Sequence, residues 1–157
     1  MIEREEMGSK IRFTDKYPPT KGILRYTVFK NGIPIEQVED ENLILNGARI
    51  QMAHLVAGEY TGRNIKRIAF GTNGTPPVLA DTQITGAYTK DLTGFSFPEE
   101  NQVQFDWKLL ISEANGLAIM EFGLITASGV LYSRRVREKP LYKESDISFE
   151  GQWTLIF

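Results

Sequence analysis

The chain of 157 residues contains no cysteine and a single histidine. Without cysteine there is no disulfide, no thiolate nucleophile, and no Cys-ligated zinc or iron–sulfur site, and any redox compartment suits the chain. One histidine excludes every site that needs two imidazoles, the two-His zinc helix of metalloproteases among them. An excess of one charge is also missing. Eighteen Lys and Arg face 20 Asp and Glu, a net charge of −2, whereas nucleic-acid binding is driven by concentrated positive charge. Nucleic acid is therefore not expected as a partner. No apolar run approaches the roughly 18 residues of a membrane-spanning helix, so no membrane insertion is expected. The opening MIEREEMGSK carries acids where a secretory leader has a basic flank and an apolar stretch. With 41% hydrophobic and 24% charged residues, the composition is that of an ordinary globular domain.

The patterning is that of strands. Leu24, Tyr26 and Val28 alternate with Arg25 and Thr27, and Ile33 and Ile35 restart after Asn31–Gly32, which predicts a β-hairpin. Val103, Phe105, Trp107, Leu109 and Ile111 alternate with polar neighbours over the longest such stretch. Leu117 to Ile125 follows an Asn115–Gly116 turn and predicts a second hairpin with it. Ser128–Gly129 then turns into Val130 to Val136. Ile65 to Phe70 and Ile147 to Phe157 read as further strands, the latter with Phe149, Trp153, Leu155 and Phe157 on one face, and Tyr88 to Phe97 as one more. About seven strands joined by short turns, with one early helix, predict an antiparallel β-sandwich or open barrel. The expected organisation is an N-terminal arm over 1–21 and a single β-rich domain over 22–157.

The helix spans about 46–57, with Asn46 as its cap and Gly58 ending it. At 100° per residue its apolar side chains cover most of the circumference, and Gln51, His54 and Gly47 form a narrow polar stripe. Such a helix is buried, either by its own domain or by a neighbouring subunit. The arm carries isolated Ile2, Met7, Ile11 and Phe13 among charges, too few to form a core, which points to contact with a neighbour.

Sites for chemistry are few. His54 lacks the sharp nucleophile turn and orienting carboxylate of a triad, so a hydrogen-bonded helix residue or interface contact is the reading. The acidic run Glu36, Glu39, Asp40, Glu41 lacks calcium-loop spacing and reads as a solvated hairpin end. Gly71-Thr-Asn-Gly-Thr-Pro-Pro77 has no following Lys–Ser or Lys–Thr and reads as a structural turn, not a phosphate loop. Glu113 and Glu121 are the carboxylates a glycoside hydrolase would need. Glu121 lies among apolar residues on the face expected for Ile119 and requires a cation to offset its desolvation. Arg134 on the next strand is the expected partner in a structural ion pair. Arg134, Arg135, Arg137 and Lys139 make a local basic cluster whose adjacent members point to opposite faces. Trp107 and Trp153 lie in alternating apolar rows and are expected in the core rather than stacked on a sugar. No catalytic, cofactor or metal site is assigned.

The order of short signatures resembles the small β-rich tail-fibre or tail-collar-like structural proteins of tailed bacteriophages and prophages. The residues that carry it are Gly32 with the hairpin around it, Asn42-Leu-Ile-Leu-Asn-Gly47 running into the helix, Ile68-Ala-Phe-Gly-Thr-Asn-Gly-Thr-Pro76 with Asp81-Thr82, Glu121-Phe-Gly-Leu124, Gly129-Val-Leu-Tyr-Ser-Arg134, and Trp153-Thr-Leu-Ile-Phe157. Asn73 stands where that family commonly has glycine. The resemblance implies a non-enzymatic virion component, assembled in the bacterial host cytoplasm, that works as a ring or trimer beside other virion proteins. Its interfaces would be the arm, the helix with Gln51 and His54, and the loop with Gly71, Asn73 and Asp81. A carbohydrate-binding module for a host-surface glycan is the alternative.

Overall fold

The structure is a computed structural model that describes the backbone of residues 2–7 and 10–15 and all of residues 20–157. Strands β1 (Ile2–Met7) and β2 (Lys10–Asp15) pair antiparallel, Ile2 opposite Asp15 and Met7 opposite Lys10. The side chains of Ile2, Met7, Ile11 and Phe13, expected at an interface, lie outside the described residues.

The remaining strands are β3 (Lys21–Lys30), β4 (Ile33–Ile44), β5 (Ile65–Gly71), β6 (Tyr88–Asp91), β7 (Gly94–Ser96), β8 (Gln102–Leu109), β9 (Ala118–Thr126), β10 (Leu131–Tyr142) and β11 (Ile147–Ile156). They form one antiparallel sheet of nine strands among the described residues, ordered β6-β5-β9-β10-β4-β3-β11-β8-β7, curled into a half-barrel. The fold class is thus mainly β with one helix, α1 (Asn46–Val56). The β3–β4 hairpin turns at Asn31–Gly32, where φ is +50° and +76°. Two successive positive angles give the turn whose twist matches that of the strands, and Asn–Gly adopts it at little cost.

The curl shows in two places. Strands β10 and β4 pair only through Ser133–Ile44 and Arg134–Leu43, so the two halves of the sheet fold toward each other about a short seam. Strands β6 and β7 stand at opposite ends of the order yet are separated only by Leu92 and Thr93. Their amides donate to the Lys66 carbonyl at 3.0 Å and the Asp106 carbonyl at 2.8 Å. One stretch of chain therefore stitches both ends of the sheet. The single strand expected over Tyr88–Phe97 is in fact these two, divided where the chain passes from one half to the other.

Between the halves lies an aromatic core. Tyr26, Trp107 and Phe149 from one half meet Phe70 and Phe122 from the other at ring-centroid distances of 4.9 to 6.3 Å. Trp153, Leu24, Val28, Leu109 and Leu155 complete it. The second half of β5 is buried on both faces: Ile68 and Phe70 face this core, while Ala69 joins Leu45, Ile84 and Leu131 in a second cluster beneath the 72–87 loop. Two-sided burial is why Ile68, Ala69 and Phe70 are apolar without alternation, after Lys66 and Arg67 in the less buried half of the strand.

Two expectations are corrected. Strands β8 and β9 do not form a hairpin: β8 pairs with β7 and β11, and β9 with β5 and β10. The Gly116 turn exists, with φ of +90°, but residues 110–117 cross from one half to the other and are held by the chain after β10. There the Lys143 ammonium donates to the Ile111 carbonyl at 3.3 Å and to Asn115 Oδ1 at 2.8 Å. Glu121 does not share a face with Ile119. Ile119 and Phe122 both belong to the main core, so strand parity breaks between them and turns Glu121 toward the 72–87 loop.

Candidate functional site

The residues singled out in separate stretches of sequence converge beneath the 72–87 loop. Glu121 on β9 is fully buried and Arg134 on the neighbouring β10 is 2% exposed; Arg134 Nε meets Glu121 Oε1 at 3.2 Å. The guanidinium has two further acceptors: Asp81 Oδ2 at 3.0 Å through Nη1, and the Asn73 carbonyl at 3.0 Å through Nη2. The second Glu121 oxygen accepts the Asn73 amide. Asn73 Oδ1 accepts the Thr75 amide at 3.0 Å, and Asp81 Oδ2 accepts the Val78 amide at 3.0 Å. A buried carboxylate and a buried guanidinium thus satisfy each other and tie the start and the middle of the loop to the sheet. Burying either alone would cost several kcal/mol.

Gly71 belongs to the same unit. A Cβ there would meet Ile84, the Thr85 carbonyl at 2.7 Å and Glu121 Cγ at 3.0 Å. The loop packs directly onto the bare backbone. Gly71 and Gln51, both expected at an interface, are buried within the chain itself, and Gln51 Oε1 accepts Arg63 Nη1 at 3.0 Å. The surface expected of them falls to their neighbours: Val78 and Leu79 on the loop are 56% and 44% exposed, and Ile50 and Val56 on α1 are 55% and 90% exposed. His54 lies partly exposed, its Nδ1 3.2 Å from Glu59 Oε1.

Loop and helix are one surface because of the way α1 begins. Asn46 does not cap it. The cap position is Leu45, without a side-chain bond, and Asn46 is the first helical residue, its amide donated to the Leu79 carbonyl at 2.9 Å. A helix leaves its first amides without internal partners, and here the loop supplies one. Nothing local in the sequence signals this tertiary cap.

The acidic run and Glu113 are matched by cations. Each member of the acidic run has a cation: Glu36 with Arg137 at 3.1 Å, Glu39 with Arg25 at 3.0 Å, Asp40 with Arg135 at 3.2 Å, and Glu41 with Lys21. Two of these pairs, Glu36–Arg137 and Asp40–Arg135, join the acidic run to the basic cluster, and the other two join it to β3. Glu113, the other hydrolase candidate, accepts Lys90 Nζ at 2.6 Å, the Leu110 amide at 2.8 Å and the Tyr88 hydroxyl at 3.1 Å. Burial works to raise its pKa, but these three donors together hold it below the ordinary carboxylate value. Burial lowers the Lys143 ammonium from its usual value, with Glu113 and Asp146 opposing. Tyr26 is pushed up to about 12 by burial, against the pull of Arg137.

An open groove of about 630 Å³ crosses the outer face of β4, β3, β11 and β8, with Arg25, Gln37, Glu39, Asp106, Lys108 and Glu150 in its walls. The aromatic residues lining it, Tyr26 and Trp107, are 5% and 1% exposed and belong to the core, so neither offers a ring to a sugar. Trp153 is fully buried in the same core. Among the described residues no group of three or more His, Asp or Glu is placed to hold a metal, and no helix is long and apolar enough to cross a membrane. No protein family matches this sequence, and no curated protein or solved structure matches it.

Proposed function

We propose that this chain is a non-enzymatic structural subunit of a phage or prophage virion that self-associates and docks on a larger tail, baseplate, neck or fibre assembly. The observation that carries the reading is where its large apolar side chains lie. Val56 is 90% exposed, Phe97 69% and Phe95 66%, the two phenylalanines meeting edge to face at 5.8 Å beside the short edge strand β7. Apolar groups gathered in patches on a surface mark contact with another protein. Carboxylates in enclosed surroundings are meanwhile engaged in internal pairs: Glu121 with Arg134, Glu113 with Lys90, and Glu36 with Arg137. The virion setting is supported by the ordered run of short motifs, whose Gly71, Asn73, Asp81, Glu121 and Arg134 meet in a single network.

Light scattering coupled to size exclusion tests the self-association. A discrete oligomer at micromolar concentration is expected, and a stable monomer would overturn it. Titration against bacterial cell-wall sugars is the companion measurement. Saturable binding by a monomer would favour the carbohydrate-binding alternative, and tail or baseplate genes beside this one would support the virion setting.

A further inference from the structure

We infer that α1 is the site at which two copies of this chain pair, antiparallel, about a two-fold axis through Ala53. The inference rests on the self-association reading and names its surface. A helix on a protein surface ordinarily turns its apolar side inward and its polar side to water. Here the arrangement is reversed. Gln51, from the polar stripe, is 4% exposed, while Ile50 and Val56 are 55% and 90% exposed, with Ala53 and Ala57 exposed as well. On a wheel at about 100° per residue these four side chains and Arg49 fall within an arc of roughly 120° centred on Ala53. The helix is apolar around most of its girth, and its own domain covers the other side.

The occupant follows from the spacing and the charge. Ile50 and Val56 lie three residues before and after Ala53. Antiparallel pairing about that residue sets Ile50 of each copy against the partner's Val56, as an isologous interface requires. The small side chain at the centre lets two helix axes approach to about 8–10 Å. Arg49 is exposed and makes no ion pair among the described residues. Glu59 lies past the C-terminal end of the helix, where the chain turns at Gly58 and its carboxylate meets His54 rather than Arg49. In the two-fold arrangement Arg49 reaches the opposite helix C-terminus, where the negative end of the helix dipole and the partner's Glu59 both favour a cation. Glu59 is exposed and held only by His54. The helix thus carries an exposed apolar face and, near its two ends, opposite charges that match when a second copy is inverted.

The test uses the full chain and three variants, Ala53→Glu, Arg49→Glu and Glu59→Arg, with circular dichroism to confirm the fold. Each single variant is expected to halve the particle mass relative to the unaltered chain, because it brings like charges together across the axis. Mixing Arg49→Glu with Glu59→Arg restores both contacts at once and is expected to restore the mass. If the unaltered chain self-associates but all three variants keep its mass, or the mixture fails to recover, α1 is not the pairing surface and self-association stands by other patches. A monomeric unaltered chain at high micromolar concentration would overturn both readings.

Discussion

Replacing Arg134 by Met tests whether the buried ion pair, rather than apolar packing alone, holds the 72–87 loop to the sheet. Methionine keeps much of the apolar stem but leaves Glu121, fully buried, as an unpaired carboxylate, and removes the donors to Asp81 and the Asn73 carbonyl. Breaking one side of a buried pair costs about 3–5 kcal/mol. For a domain of this size that corresponds to a fall of about 6–20 °C in Tm. Glu121→Gln is milder, about 1–3 kcal/mol, because the amide still accepts from Asn73 and Arg134 keeps Asp81. The double variant no longer strands a buried charge, so it is expected to be more stable than the summed singles by at least about 1 kcal/mol. Urea unfolding followed by the fluorescence of the buried Trp107 and Trp153 gives all three values. Hydrogen exchange at Asn73 and Val78, whose amides are bonded to Glu121 and Asp81, shows whether the loop is what loosens. An Arg134→Met protein within about 0.5 kcal/mol of the unaltered chain, or strictly additive singles, would refute the reasoning.

Gly71→Ala pushes a methyl group against the Thr85 carbonyl and Ile84, and is expected to cost about 1–3 kcal/mol with lost protection at Thr72 and Asn73 but not in β3 or β11; uniform loss across the sheet would contradict the local role. Stability should fall at alkaline pH through Tyr26 and Tyr132, whose hydroxyls are pushed by burial from 10.0 to about 12. Between those values the folded chain holds protons that the unfolded chain has released. Their contribution is therefore intact below pH 10 and is lost as pH rises toward 12, by about 2–3 kcal/mol for each tyrosine. Tyr26→Phe and Tyr132→Phe should each shallow that decline in urea midpoints measured across pH, and an unchanged slope would exclude the buried hydroxyls as its source. No turnover of cell-wall polysaccharide is expected from the unaltered chain or from Glu121→Gln. Sugar release by the former that the latter abolishes, with the fold intact, would instead assign Glu121 a catalytic role.

What the sequence determines by itself is what is settled between near neighbours along the chain. Strand alternation places Leu24, Tyr26 and Val28 inward and marks Trp107, Phe149 and Trp153 as core, because a strand face depends only on period two. Asn31–Gly32 specifies its own turn. Arg134 is legible as a partner for Glu121, since a carboxylate among apolar residues requires a cation nearby. Tertiary structure decided the rest. Alternation says which face a residue takes and not which strand lies beside it, so β8 finds β11 instead of β9. The third and fourth members of the Arg134 network, Asp81 and Asn73, lie 53 and 61 residues away in the chain, and the Leu79 carbonyl that receives the Asn46 amide is as invisible to local reading. Most telling is α1. Its wheel shows an apolar helix with a polar stripe, but which side meets water depends on where β10 and the loop stand. Gln51 is turned inward, where Arg63 meets it, and Ile50, Ala53 and Val56 face out, because burial is a property of the surroundings and not of the segment buried.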